Sequence, residues 1–275
     1  YEAEITAPSV TSYNQPNHYY NVTVEATNDA GTTVSASGTT IPGLQLQVRE
    51  RIKPVVTITS PSNGARITNN KQPVLFTATD ETNGSGVDLS SLVVKLDDVL
   101  VPSEQISNSA IANGYSFTYT PAEALSDGSH TVTVDISDHD GNTADQKTTT
   151  FIVDTVAPTL NVTAPTEGYI TNTAELTVVG TTNDVTSSPV TVKITLNSAD
   201  QGAVTVNTGG AFSKQITLAE GANVIVITAT DAAGKSTSVT RNVTLDSSQP
   251  AITSATITPN PVDAGKTMLI SVVIE

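Results

Sequence analysis

Thr131 to Gly141 reads TVTVDISDHDG, and the stretch comes back twice, as NVTVEATNDAG at Asn21 to Gly31 and as VIVITATDAAG at Val224 to Gly234. Each copy alternates apolar and polar residues with a period of two, the spacing of a strand buried on one face. Each then places Asp or Asn three residues before Gly. The side-chain oxygen caps a tight turn and the glycine takes its positive φ, so the stretch predicts a β-hairpin. Three copies along one chain predict modules rather than a single domain.

A second phrase opens each module: ITAPS at Ile5 to Ser9, ITSPS at Ile58 to Ser62, VTAPT at Val162 to Thr166, and the shorter ITP at Ile257 to Pro259. Proline has no N–H to donate, so each phrase predicts a strand that stops there. Between the two phrases the second and third copies carry a long middle section. In the second copy it holds Tyr115, Phe117 and Tyr119 on one face of a strand that the Asn113-Gly114 turn leads into. Leu125 to Gly128 and Leu218 to Gly221 are matching turn signals ahead of the closing hairpin. Each of these two copies supplies about seven strands, enough for two packed sheets on a Greek-key path.

The organisation expected is all-β. Residues 1–50 form an incomplete module, 51–154 and 155–246 are immunoglobulin-like Greek-key β-sandwiches, and 247–275 begin a further module or form a terminal strand pair. Each junction is a few residues ending in Pro54, Pro158 or Pro250, which predicts an elongated, semi-rigid row. The strand MLISVVI, Met268 to Ile274, would be an aggregation hazard at a free edge. It is therefore expected to pair with a partner chain, another module or a continuation of the chain, and self-association through the terminal strands follows.

Composition narrows the function. Twelve Lys plus Arg against 27 Asp plus Glu give a formal charge of −15, which repels phosphate backbones and argues against nucleic-acid binding. No apolar run approaches the roughly 20 residues that span a bilayer, so the stretch reads as soluble, with no membrane insertion. Cysteine is absent, which removes disulfides and thiol ligands; tryptophan is absent too, leaving Val, Ile and Leu to fill the core. His18, His130 and His139 lie far apart and read as structural or surface residues, with His130 at the position that Asn223 takes in the next module. Gly84-Ser85-Gly86 reads as a turn, no nucleophile elbow or phosphate loop occurs, and no carboxylates pair in a catalytic pattern. The chain is expected not to be an enzyme.

The run of Pro-ended strand, Leu-x-x-Gly turn, Asp-x-x-Gly hairpin and Pro-ended linker resembles the bacterial Ig-like repeat families over most of the chain. Residues 158–246, with GTTND at Gly180 to Asp184 and EGANVIVITATDAAGKS at Glu220 to Ser236, are similar to Ig-like modules appended to glucodextranase-type enzymes and surface proteins. Ile252 to Glu275 resembles Ig-like segments of Firmicutes phage and prophage tail proteins, as does YEAEITAPS with HYYNVTVEATNDAGT. The resemblance implies a β-sandwich, an extracellular surface or virion location and no catalysis, and leaves the ligand open.

Two sites are candidates. Asp138, Asp140 and Asn142 share one hairpin tip, an oxygen cluster of the kind calcium takes. The resemblance adds Asp154 and Asp246, since linker aspartates of related Ig-like adhesins hold calcium between modules; the first linker departs with Arg49-Glu50-Arg51. The second candidate is the loop Ser12 to Tyr20, where Tyr13, Asn17, His18 and Tyr19 are expected to contact a protein or cell-surface glycan, while alternation turns Tyr19 or Tyr20 inward. The expected function is a non-catalytic spacer and binding scaffold on a phage or prophage tail or a bacterial surface. The alternative is a carbohydrate-binding accessory region of a larger extracellular hydrolase.

Overall fold

A computed structural model describes residues 2–275, and their regular structure is β-strand with four short 3₁₀ turns. The chain divides into two compact units, Tyr1–Val156 and Ala157–Glu275.

The first unit opens with β1 (Tyr20–Asn21), β2 (Thr23–Thr27), β3 (Thr33–Ser37) and β4 (Gln45–Leu46). They make two two-stranded sheets, β1 with β4 and β2 with β3. The predicted hairpin is present: Asn28 Oδ1 accepts from the backbone N–H groups of Ala30 and Thr32, and Gly31 sits at φ 80°. Among the described residues no second sheet covers it, and all five residues of β2 are exposed despite the alternation. The expectation of a strand at Ile5 to Ser9 is corrected: the segment is irregular, bends at Ser9 and belongs to no sheet. Without a neighbouring strand there is no ladder for its backbone to join.

The rest of the unit is a sandwich. Its strands are β5 (Val55–Ser60), β6 (Arg66–Ile67), β7 (Val74–Thr79), β8 (Val87–Leu96), β9 (Val99–Leu100), β10 (Ile106–Ile111), β11 (Gly114–Tyr119), β12 (Gly128–Asp138) and β13 (Lys147–Val153). One sheet runs β10-β11-β7-β5 and the other β6-β13-β12-β8-β9, so the chain changes sheet after β5, β6, β7, β9 and β11. Along β12 the residues Val132, Val134 and Ile136 are buried in turn, as the alternation requires, and they meet Val74, Phe76 and Phe117 of the facing sheet in one core. Phe76 and Phe117, paired across β7 and β11, stack with ring centroids 4.7 Å apart.

The second unit repeats the plan with β14 (Thr159–Ala164), β15 (Tyr169–Thr171), β16 (Glu175–Asn183), β17 (Thr191–Leu196), β18 (Ala199–Asp200), β19 (Ala211–Thr217), β20 (Gly221–Thr230) and β21 (Ser236–Leu245). Its sheets run β14-β16-β19 and β15-β21-β20-β17-β18, around a core that includes Val178, Ile194, Phe212, Ile225 and Ile227. One phenylalanine replaces the stacked pair: Phe212 lies over Gly180, where an added Cβ would stand 2.5 Å from the ring. The unit ends in a hairpin of β22 (Ile252–Thr258) and β23 (Leu269–Ile274), whose residues are all exposed.

Proline ends three strands as predicted, since β5, β14 and β22 stop immediately before Pro61, Pro165 and Pro259. The closing hairpins also follow one geometry. Asp138 Oδ1 accepts from Asn142 N, Asp231 Oδ1 accepts from Ala233 N and Lys235 N, and Gly141 and Gly234 stand at φ 90° and 89°.

Candidate functional site

The ends of three sandwich segments in the first unit meet at one pole. β7 ends at Thr79 and delivers Asp80 and Glu81, β12 ends in Asp138, and the segment before β5 brings in Glu50. A carboxylate oxygen from each of Glu50, Asp80 and Glu81 lies within 4.8 Å of the others. Asn142 ties Asp138 to this group: its Nδ2 donates to Glu50 Oε1 and to Asp138 Oδ2, both at 2.8 Å.

The Gly84-Ser85-Gly86 turn wraps the acids. Gly86 N donates to Asp80 Oδ2 at 2.7 Å, and Ser85 Oγ reaches Glu50 Oε1 at 3.4 Å. A Cβ on Gly84 would stand 2.5 Å from Asp80 Oδ2 and 2.7 Å from Glu81 Oε1, so a larger residue there would have to displace these carboxylates. Asp80 is 7% exposed, yet its Oδ1 has no hydrogen-bond partner, and neither does Glu81 Oε2. None of the ion pairs of the described residues involves these carboxylates.

Burial, then the hydrogen bond and charge of Asp138 and the charge of Glu81, push the Glu50 carboxyl up to about 7 against the opposing Ile52 N–H. Burial and the neighbouring Asp80 and Asp138 raise Glu81 as well.

The N-terminal segment docks beside this pole. Thr11 Oγ1 donates to Asp140 Oδ2 at 2.5 Å, Glu50 N donates to the same oxygen at 3.0 Å, and Asn14 Nδ2 donates to Gly84 O at 2.7 Å. Tyr13 stacks with two imidazoles, with ring centroids 4.5 Å from His18 and 4.3 Å from His139. A cleft of about 450 Å³ is shared by Tyr13, Asn14, Asp80, Glu81 and His139.

The structure brings some predicted site residues together and separates others. Asp138, Asp140 and Asn142 meet at the hairpin tip, but Asp140 is already held by Thr11 and Glu50. Asp154 follows β13 and its Oδ1 accepts from Val156 N. Asp246 is exposed and caps the turn at Ser248, whose N–H and hydroxyl both donate to Oδ1. Asn17 and His18 lie in a 3₁₀ turn, both at φ 60°, with His18 Nδ1 2.6 Å from Tyr13 O. Tyr19 lines a separate cleft with Asn17 and Tyr20, and Tyr20 is tied inward through its hydroxyl to Val10 O.

Glu50, Asp80 and Glu81 were not among the residues the sequence singled out, although signals for them exist. Glu50 precedes Pro54 by four residues, the offset at which Asp154 and Asp246 precede Pro158 and Pro250, so the first linker keeps an acid where the others have one. Asp80 ends FTATD as Asp184 ends GTTND. In the second unit Asp184 and Asp231 are likewise buried, with carboxylate oxygens within 4.8 Å of each other. Asp184 accepts from Thr186 N and Ser187 N, while Asp231 Oδ2 has no partner.

Comparison with known proteins agrees with this architecture. Residues 54–134 match the family described as "Bacterial Ig domain" and residues 158–247 match "Glucodextranase, domain B". No curated protein matches the chain. Among solved structures, the fibronectin(III)-like modules of Clostridium thermocellum CbhA are 20% identical, with a TM-score of 0.43 over 70% of this chain and 94% of theirs. A crystal structure of titin domains is 13% identical, with a TM-score of 0.45 over 82% of this chain and 74% of that one. Sidekick-1 immunoglobulin domains 1–4 are 13% identical, with a TM-score of 0.38 over 83% and 58%. The paired sheets define tandem immunoglobulin-like β-sandwiches, the first similar to bacterial Ig domains and the second to glucodextranase domain B. Among the described residues no helix is long and apolar enough to cross a membrane.

Proposed function

We propose that the chain is a non-catalytic extracellular scaffold, a spacer that carries attachment surfaces on a bacterial surface or on a phage or prophage tail. The observation that carries this reading is how each sandwich is fastened. In the first, β6 near the chain's entry pairs in parallel with β13 at its exit, Arg66 with Ile152 and Ile67 with Val153. In the second, β15 pairs in parallel with β21 over Tyr169 to Thr171. Tension applied at the two ends of a sandwich pulls such parallel strands in opposite directions. The bonds of the ladder are then loaded together in shear instead of opening one at a time. A spacer under load needs this arrangement.

Single-molecule force spectroscopy tests it. The full chain should unfold in two force-resisting steps, each releasing about 300 Å of chain at roughly 3.4 Å per residue. Ile67→Pro removes a ladder N–H and should weaken one of the steps while leaving the other unchanged. Unfolding of the wild type without resolvable force peaks would refute the spacer role.

The match of residues 158–247 to glucodextranase domain B favours a second reading, an accessory module of a larger hydrolase that holds polysaccharide. Affinity electrophoresis against a panel of soluble polysaccharides distinguishes the two. Retardation that Tyr19→Ala abolishes would favour the accessory module; free migration in every gel would leave the scaffold.

A further inference from the structure

We propose that Glu50, Asp80 and Glu81 form a calcium site that clamps the segment ahead of β5 onto the pole of the first sandwich. Three observations carry it independently of the proposed function. The first is the oxygen set itself: three carboxylates no more than 4.8 Å apart, a span that ligands of an ion held at about 2.3 to 2.6 Å can bridge. The second is the orphaned chemistry. Asp80 Oδ1 is buried without a hydrogen-bond partner, and Glu81 Oε2 beside it is in the same condition. A buried anionic oxygen with no donor is costly, and a bound cation removes that cost. The third is the Gly84 approach, which brings the loop so close to both carboxylates that a side chain there would have to displace them.

The donors decide the metal. All are hard carboxylate oxygens, with neither sulfur nor imidazole in the set, which disfavours zinc and copper. The three come from a linker and a loop rather than one rigid element, and calcium tolerates such irregular coordination where magnesium demands a near-ideal octahedron and keeps its water. Asp138 stands behind the set, joined to Glu50 through Asn142, and adds negative potential without being needed as a ligand.

The clamp has a mechanical consequence. Glu50 belongs to the segment that also receives Thr11 and Ser12, since Asp140 joins Thr11 to Glu50 and Val48 O accepts from Ser12 N. An ion held by Glu50 and by the β7 loop would fix this segment, and with it the docked N-terminal turns, to the sandwich.

The test is calcium titration of the full chain, by calorimetry and by terbium luminescence sensitised through tyrosine, in wild type and in Asp80→Asn/Glu81→Gln. Tyr13 shares the cleft with both acids and the chain has no tryptophan, so the sensitised signal reports this neighbourhood. Wild type should bind calcium with a Kd of about 10⁻⁴ M or tighter, and the variant should weaken that binding roughly tenfold or more. Thermal unfolding separates a metal site from a merely structural cluster. Without calcium the neutral variant should melt above wild type, because repulsion is relieved; with calcium the order should reverse. Magnesium at equal concentration should shift wild type much less. Wild type that binds no calcium, or binding and melting order unaltered in the variant, would overturn the proposal. The melting comparison in chelator also shows whether the variant has folded.

Discussion

His130 Nδ1 lies 2.7 Å from Asp97 Oδ2 while its Nε2 lies 2.8 Å from Ser126 O, so the buried imidazole bridges a turn aspartate and a backbone carbonyl four residues back. In the second unit Asn223 does the same work with an amide. Its Oδ1 accepts from Asn197 Nδ2 at 3.1 Å and its Nδ2 donates to Ala219 O at 2.7 Å, again four residues back. The turns match as well: Asp97 and Asn197 both stand at φ 50° and each accepts, through Oδ1, the N–H of the residue after its partner, Thr131 or Val224. One sandwich thus holds by an ionisable pair what the other holds by neutral amides.

This difference makes the first sandwich pH-dependent. Burial pushes His130 down, but the Ser126 carbonyl and the Asp97 hydrogen bond and charge together outweigh it, and the net shift is upward from 6.5. A raised folded-state value means that protonation stabilises the native form: the contribution is complete below about 6.5 and is lost as pH rises through the higher folded value. Melting temperature should therefore fall with rising pH across that window. Asp97→Asn/His130→Asn, which installs the amide pair of the second unit, should remove this component of the slope and keep the fold. A slope unchanged in the double variant would exclude the pair as its source.

Phe76 and Phe117 sit face to face across β7 and β11, both essentially buried. Removing one ring leaves a cavity that the other, fixed by its own ladder, cannot fill. Phe117→Ala should cost about 3 to 5 kcal/mol, and Phe117→Leu, which keeps most of the volume, should cost about 1 kcal/mol. Chemical denaturation of the full chain measures both. Equal costs would show that the site collapses freely around the loss.

What the sequence made legible, and what it left hidden, follows from how far apart the deciding residues lie. The hairpins at Asn28, Asp138 and Asp231 are written in four adjacent residues, and all three form. The ends of β5, β14 and β22 are set by a single proline each. Burial was less legible: β2 has the same alternation as β12, but only β12 has a facing sheet, and Ile5 to Ser9 has the phrase of a first strand without a strand to pair with. The acidic pole was hidden because Glu50, Asp80, Glu81 and Asp138 come from separate segments that only the sheet topology joins. Tyr13 shows the converse. Its loop was readable as an aromatic cluster, but not the fact that His139, from a distant hairpin, covers one of its faces.

Gly114 and Gly141 are needed for different reasons, and substitution separates them. A Cβ on Gly114 would stand 2.0 Å from Ala78 O in the neighbouring strand, where the β7–β11 ladder leaves the backbone nowhere to move. Gly114→Ala should cost about 2 to 3 kcal/mol by overpacking. Gly141 has open space around it but stands at φ 90°, so Gly141→Ala pays only conformational strain, about 1 to 2 kcal/mol. Urea unfolding should rank the first above the second. The reverse order would mean that β11 can shift away from β7 more easily than its ladder suggests.

The hairpin of β22 and β23 presents an apolar face to solvent. Pairing of Ala255 with Val272 and of Ile257 with Ile270 puts these four residues on one face, while Thr256 and Ser271 share the other with Leu269 and Val273. Ile257 is 44% exposed, Ile270 58% and Val272 46%, so one face of a two-stranded sheet is apolar and uncovered. In the sandwiches the equivalent pairs, β5 with β7 and β14 with β16, turn such a face onto a second sheet. A hairpin with an apolar face and unpaired outer edges is a template for association with another chain. Sedimentation velocity should show a species that grows with concentration, and Ile270→Lys/Val272→Lys should abolish it. Thr256→Lys, on the opposite face, should leave it intact. If both lysine variants suppress association alike, added charge and not the apolar face controls it; if wild type stays monomeric at every concentration, the hairpin does not self-associate.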